Sequence, residues 1–324
     1  SLKLWLAKAG APVSASRLTL LRANVREQFA EEALSEVDRI SNLPLENIER
    51  ISAKVPTFTI DAEKTLDYDD AFSVLKWSEG ELVVAIHITD LSHAIQPEDP
   101  LFKEAESRIS SVYSPEGPVP MLPDQLSNDT FSLKAGEDRA VLSFKFQLKC
   151  NGDWNLLEVA PKIARVQKNL SYEQADLLIE EEQDFWGLLN IFCLSAFELR
   201  LGKGALNLSR KEFNIDISDP EQICITRLNR NSPANRIIEE FAIAVNRETG
   251  RLFKAADFPG IYRTQSSFEL IKEVEDGEKL SLEHIQVELA RMSTNSGTHA
   301  GLGCEVYMHT TSPIRRFSDL ITQQ

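Results

Sequence analysis

Four aspartates, Asp61, Asp67, Asp69 and Asp70, fall within the ten residues 61–70, between two apolar runs. Carboxylates so close repel one another unless something positive sits among them. A hard, oxygen-seeking dication is the usual partner, Mg²⁺ first and Mn²⁺ as its alternative. If the stretch is extended, Asp67 and Asp69 share one face and Asp70 points to the other. In a turn, all three converge with Asp61. Mg²⁺ takes one or two protein carboxylates plus water and substrate oxygens, so four carboxylates suit two ions roughly 3.5–4 Å apart. The competing reading is an Asx-rich turn in an acidic protein, because Asp is favoured in turns.

A second segment, Ser312-Pro313-Ile314-Arg315-Arg316, lies near the other end of the chain. Pro313 stiffens it, and an arginine fork matches a phosphate through two parallel hydrogen bonds. Read alone, it fits better an N-cap serine with proline at the first helical position and two surface arginines. An acidic metal cradle combined with a fixed arginine pair is what phosphodiester chemistry requires.

The elements that must position these groups follow from periodicity. Apolar residues at three- and four-residue spacing from Leu18 to Ile40 predict one helix over 16–40, ended by Asn42-Leu43-Pro44. Phe58 to Ile60 and Ala71 to Leu75 read as strands flanking the aspartates, with a hairpin turn at Ser78-Glu79-Gly80. Leu82 to Thr89 is almost continuously apolar, as a buried strand is. Ser114 to Ser127, with four prolines, reads as an ordered loop. Strands resume at 141–148 and 154–166. Helices then follow over 171–201 (broken near Asp184), 234–254 and 282–292. Strands first and helices later predict an α/β fold, a mixed and mainly antiparallel sheet packed with helices.

The 324 residues suffice for a substantial core. No apolar run approaches the roughly 20 residues needed to span a bilayer, so no membrane partner is expected. A net charge of −15 argues against a simple basic nucleic-acid-binding module. The charge is uneven: residues 1–55 hold eight Lys/Arg and seven Asp/Glu, and the remainder carries −16. Cys150, Cys193, Cys224 and Cys304 are scattered, which reads as reduced, intracellular thiols and a cytoplasmic location. The absence of an initiator Met and of a helix stop after Ile321 reads as two cuts in a longer protein. Residues 1–55 read as a helical lead-in and 56–324 as the catalytic domain, incomplete at its C-terminus.

Taken together, these residues resemble the catalytic domain of the ribonuclease II / ribonuclease R (RNB) family of 3′→5′ exoribonucleases. The resemblance runs through the aspartate loop, Ile86 to His93, Arg108-Ile109-Ser110-Ser111-Val112-Tyr113, Pro118 to Pro123, Leu126 to Asp129 and Ser132-Leu133. It continues through Leu170-Ser171-Tyr172, Gly204-Ala205-Leu206, Ile238 to Phe241, Val245-Asn246, Ile261-Tyr262-Arg263, His299 to Gly303 and the Ser-Pro-Ile-Arg-Arg segment, in the family's order.

The resemblance implies a Mg²⁺-dependent, two-metal hydrolysis of single-stranded RNA to nucleoside 5′-monophosphates. It assigns Asp61, Asp67, Asp69 and Asp70 to metal, with Asp70 essential to the chemistry. Arg315 contacts the phosphate near the scissile bond, and Arg316 helps position the strand. Tyr113, Tyr172 and Glu239 or Glu240 line the RNA cavity, where splayed bases stack on aromatic faces. For the two tyrosines, core packing is the alternative. An RNA-binding relative without activity is the alternative for the whole chain, and no obligate protein partner is indicated. His87, in an apolar strand, reads as a satisfied core histidine. Two positions depart from the family pattern: Gln265 stands where His is common, and Phe317 where Tyr is frequent.

Overall fold

The computed structural model describes residues 15–78, 80–114, 117–181, 185–207, 212–216, 224–228, 231–272, 284–286 and 288–324. In chain order the helices are α1 (Ala15–Arg22), α2 (Glu31–Leu34), α3 (Val37–Ser41), α4 (Pro100–Arg108), α5 (Tyr172–Glu180), α6 (Trp186–Gly202), α7 (Pro233–Ala255) and α8 (Phe317–Gln323). The first nine strands are β1 (Glu49–Arg50), β2 (Thr57–Asp61), β3 (Asp70–Trp77), β4 (Glu81–Thr89), β5 (Val112–Ser114), β6 (Gly117–Val119), β7 (Asp138–Lys149), β8 (Trp154–Arg165) and β9 (Lys168–Ser171).

Seven of these strands form one sheet in the order β1-β8-β7-β4-β3-β2-β9. Pairing is antiparallel from β8 through to β2 and parallel at both edges, where β1 joins β8 and β9 joins β2. The mixed, mainly antiparallel sheet with helices is the fold the sequence predicts.

Strand β4 lies at the centre and is buried along almost its whole length. Its Leu82, Val84, Ile86 and Ile88 alternate onto one face, where they join Phe72, Val74, Phe144 and Phe146 in the main core. Helices α5, α6 and α7 cover that face with Ile179, Trp186, Leu189, Phe192, Ile237 and Phe241. The opposite parity of β4 brings in His87, whose ring nitrogens meet the Ser73 and Ser143 hydroxyls at 2.8 and 3.0 Å. Burial pushes its pKa down to about 3, so it is a neutral core histidine. A second core gathers α2, α3, α4 and α8 around Leu91, Ile95, Met121, Leu122, Leu126 and Ile314.

Two expectations need correction. The helix predicted over 16–40 is broken into α1, α2 and α3. Asn24 adopts φ +56°, and Val25 N–H donates back to the Leu20 carbonyl at 2.9 Å, which closes α1 with a left-handed cap. The helix predicted over 282–292 is not seen among the described residues of that range. Ile285–Gln286 and Arg291–Ser293 are strands, paired with Glu269–Leu270 and Tyr262–Thr264; Leu282 lies outside the described residues. Leu289, which a helix would have turned inward, is 86% exposed. Cross-strand pairing has overridden a helical period here. The described part of the ordered loop read over 114–127 carries regular elements: β5 and β6 pair as a short hairpin, and Leu126–Thr130 winds as a π-helical turn.

The break near Asp184 falls between α5 and α6, with Asp184 itself outside the described residues. Glu79 is also outside them, although Ser78 N–H donates to the Glu81 carbonyl at 2.9 Å.

Candidate active site

Strand β2 pairs with β3 only at Thr57 and Phe58, then leaves it and runs beside β9 as far as Asp61, opposite Ser171. This parting opens the end of the sheet. Asp61 ends β2, Asp70 begins β3, and residues 62–69 bridge the gap. Ser132 and Leu133 staple the bridge. Tyr68 N–H donates to the Ser132 hydroxyl at 3.1 Å, that hydroxyl donates to the Leu66 carbonyl at 2.6 Å, and Leu133 N–H donates to the Tyr68 carbonyl at 3.0 Å. Thr89 N–H, at the end of β4, holds the Asp69 carbonyl at 2.9 Å.

The Ser-Pro-Ile-Arg-Arg segment arrives at this opening as a tight turn, not as the helix start read from its sequence; α8 begins only at Phe317. Asp319 fixes the turn. Fully buried, it accepts from Ser312 N–H at 2.9 Å, from Arg316 Nη2 at 2.6 Å and from the Ser318 hydroxyl at 2.9 Å. Arg315 also reaches back to the Ser312 hydroxyl, at 2.9 Å.

The two distant segments meet at Asp69. Its Oδ1 accepts from Ile314 N–H at 2.9 Å, and its Oδ2 accepts from Arg315 Nε at 3.1 Å. The Arg315 side chain keeps 43% of its surface exposed, so the fork still faces solvent. Burial raises all three innermost carboxylates. Asp61 rises to about 8, through burial and then the charges of Asp70, Asp69 and Asp67. Asp69 rises to about 7, with Arg315 and the Ile314 N–H working against burial. Asp70 rises to about 6, with Arg315 and Arg316 opposing burial. One ion-paired arginine does not neutralise this cluster.

That uncompensated charge and the all-oxygen donor set fit a hard dication. Among the described residues, no three acidic, His or Cys side chains close around a single point at metal-ligand distance. Asp69 has both oxygens engaged by Ile314 and Arg315, which leaves Asp61, Asp67 and Asp70 as the better donors.

Tyr113, on the β5–β6 hairpin, leans over the loop: its hydroxyl donates to Asp67 Oδ2 at 3.3 Å, while 60% of the residue stays exposed. Burial of the hydroxyl and the charge of Asp67 push its pKa up to about 12. Tyr172 follows Ser171, the residue paired with Asp61, and Ser171 caps α5 through a reciprocal capping box with Gln174. Its half-buried ring packs against the main core.

Glu239 and Glu240 lie on α7. Glu240 is buried and forms a bidentate pair with Arg200 (Nε at 3.1 Å from both oxygens, Nη2 at 2.5 Å), and Arg200 also holds the Leu302 carbonyl at 3.0 Å. Glu239 is 55% exposed, 3.9 Å from Arg200. The structure thus brings together Asp61, Asp67, Asp69, Asp70, Arg315 and Tyr113. It sets Arg316 one residue behind, latched to Asp319, and ties Glu240 elsewhere.

Sequence reasoning passed over Ser132 and Asp319. Asp319 carried one signal, its spacing of three from Arg316; Ser132 carried none beyond its place in a matched segment.

A family profile described as RNB domain matches residues 50–324. Ribonuclease R of Thermotoga maritima is 28% identical over 346 residues, covering 92% of this chain and 49% of that protein. The chain spans about half the length of the curated relatives it matches. Among solved structures, Mycoplasma genitalium RNase R in complex with ribose-methylated single-stranded RNA superposes with a TM-score of 0.78 at 21% identity, covering 91% of this chain and 54% of that one. Yeast Ssd1, described as a pseudonuclease, superposes with a TM-score of 0.67 at 18% identity, over 90% of this chain and 45% of that one. The match to the family profile extends from β1 to the last residue, across the whole sheet and both segments of the site, and this chain belongs to the RNB domain family.

Proposed function

We propose that this chain forms the catalytic part of a 3′→5′ exoribonuclease that hydrolyses single-stranded RNA to nucleoside 5′-monophosphates with Mg²⁺. The observation that carries this reading is the meeting of the aspartate loop and Arg315 at 3.1 Å, with the exposed ring of Tyr113 beside them. Membership of the RNB family and the likeness to ribonuclease R support it.

Each group has a part in the reaction. Asp61, Asp67 and Asp70 would hold the metal, which when bound activates water and stabilises the leaving oxygen. Arg315, oriented by Asp69 and Ser312, presents its fork to the scissile phosphate and stabilises the charge that develops there. Arg316, held by Asp319, fixes the turn from which Arg315 projects. Tyr113 stacks on a terminal base, a contact indifferent to base identity. Of the two α7 carboxylates, the exposed Glu239 is the one left free to meet RNA, because Glu240 is the counter-ion of Arg200. Four free thiols support a reducing compartment, cytoplasm or organellar stroma.

A second reading has one observation in its favour: a pseudonuclease shares the fold. It would bind RNA without cleaving it. Release of mononucleotides from a 5′-labelled single-stranded RNA, with Mg²⁺ and not with EDTA, tests the two. A ladder shortening from the 3′ end supports the enzyme, and binding without shortening supports the pseudoenzyme.

A further inference from the structure

Ile109 joins α4 to the hairpin that carries Tyr113, with φ +67° and ψ −44°. Ser110 N–H donates to the Arg108 carbonyl at 2.7 Å, so residues 108–110 form a γ-turn of positive φ. That turn is strained for any L-residue and more so for a β-branched one. Ile109 gains no burial in return, being 68% exposed. Strain of this kind persists only where the surroundings over-determine it.

The surroundings are supplied by Arg108. Its side chain is 5% exposed, and its Nε donates to Glu104 at 2.9 Å. Nη1 holds the Arg26 carbonyl at 2.9 Å and the Pro120 carbonyl at 3.2 Å, and Nη2 holds the Gln28 carbonyl at 2.7 Å. Its guanidinium lies 3.8 Å over the Phe29 ring. One side chain therefore joins the segment between α1 and α2 to both ends of the 108–120 loop.

Beyond the turn, the loop grips the arginine segment. Phe317 N–H donates to the Ile109 carbonyl at 2.8 Å, Ser111 N–H donates to the Arg315 carbonyl at 3.0 Å, and Ser110 bridges Arg316. Two residues further on is Tyr113.

We propose that Arg108 is a positioning residue: it holds the strained turn at Ile109 that sets Arg315 and Tyr113 against the aspartate loop. The segment at 26–29 is then a buttress of the site. This inference rests on the exoribonuclease reading. Weakening the clamp lets Ile109 relax toward negative φ and carries the Arg315 and Phe317 backbone with it. Displacements of about 1 Å can cost a hundredfold in rate.

The test is Arg108→Lys, with and without Ile109→Gly, in this chain. A lysine keeps the charge but cannot serve four acceptors in a fixed plane. The expected result is a turnover, per folded molecule, reduced by about tenfold to a hundredfold. Adding Ile109→Gly restores most of it, since glycine takes positive φ without strain. Amide exchange at Ser111 and Phe317 quickens in Arg108→Lys and slows again in the double variant.

A merely structural role lowers the melting temperature without changing turnover per folded molecule, and the glycine restores nothing; that result overturns the proposal. If the unsubstituted chain releases no mononucleotides, the functional reading falls. The exchange rates alone then decide the clamp: unchanged rates at Ser111 and Phe317 overturn it, and quickened, glycine-restored rates uphold it.

Discussion

The Arg315 guanidinium sits 3.1 Å from the Asp69 carboxylate, across 246 positions of the chain. The pair joins the two segments that carry the chemistry, and it explains why Asp69 is both acidic-loop member and arginine anchor. A lysine cannot reach Asp69 and Ser312 together in one plane. Arg315→Lys is expected to lower turnover by about 10²–10³-fold, the usual cost of losing an aimed transition-state donor. Steady-state kinetics on a single-stranded RNA checks this, with KM expected to change far less than kcat.

The raised carboxylates predict a pH-dependent stability. Asp61 and Asp69 hold protons up to about 8 and about 7 in the fold, against 3.8 ordinarily. The folded chain then binds more protons than the unfolded chain, so stability falls as pH rises through that range. His87, His299 and His309, pushed from 6.5 to about 3, about 4 and about 3, act in the opposite sense, mainly below that ordinary value. Between pH 6.5 and 8 the melting temperature in EDTA should therefore fall. Mg²⁺ should raise it more at pH 8 than at pH 6.5, because a dication favours the ionised carboxylates. Equal gains at both pH values would count against a metal bound by Asp61.

The two α7 carboxylates should separate. Glu240→Gln leaves the buried Arg200 without its counter-ion, and breaking such a pair costs about 3–5 kcal/mol. Denaturant unfolding checks this. Glu239→Gln touches an exposed group and should leave stability within about 0.5 kcal/mol.

Tyr113→Phe and Tyr113→Ala distinguish ring from hydroxyl. The phenylalanine keeps the stacking face and loses only a 3.3 Å bond to Asp67. The alanine should lose about 1–3 kcal/mol of RNA affinity. Equal affinities for the two variants would show that the ring is not a base platform.

The centre of the fold was legible because burial on both faces writes itself as an apolar run, as in Leu82 to Thr89. The helices over 171–201 and 234–254 were legible from their period. The lead-in was misread because its break depends on Asn24 entering the left-handed region, which apolar spacing does not record. The segment at 282–292 was misread because pairing with distant strands, not local period, sets it.

Within the site, the aspartates and Arg315 announced themselves by type and crowding, but their contact became visible only in three dimensions. Arg108 was in view within a matched segment and gave no sign of its role. The sign of φ at Ile109 and three backbone acceptors are not written in residue type. Glu240 shows the reverse: a carboxylate matched by sequence whose partner, Arg200, lies 40 positions away.

The most direct test places the unsubstituted chain beside Asp70→Asn, both with a 5′-labelled single-stranded RNA and Mg²⁺. The account predicts a ladder shortening from the 3′ end for the unsubstituted chain alone, with both proteins binding the RNA. A chain that binds RNA without shortening it, or an Asp70→Asn protein that shortens it as fast, would contradict the account.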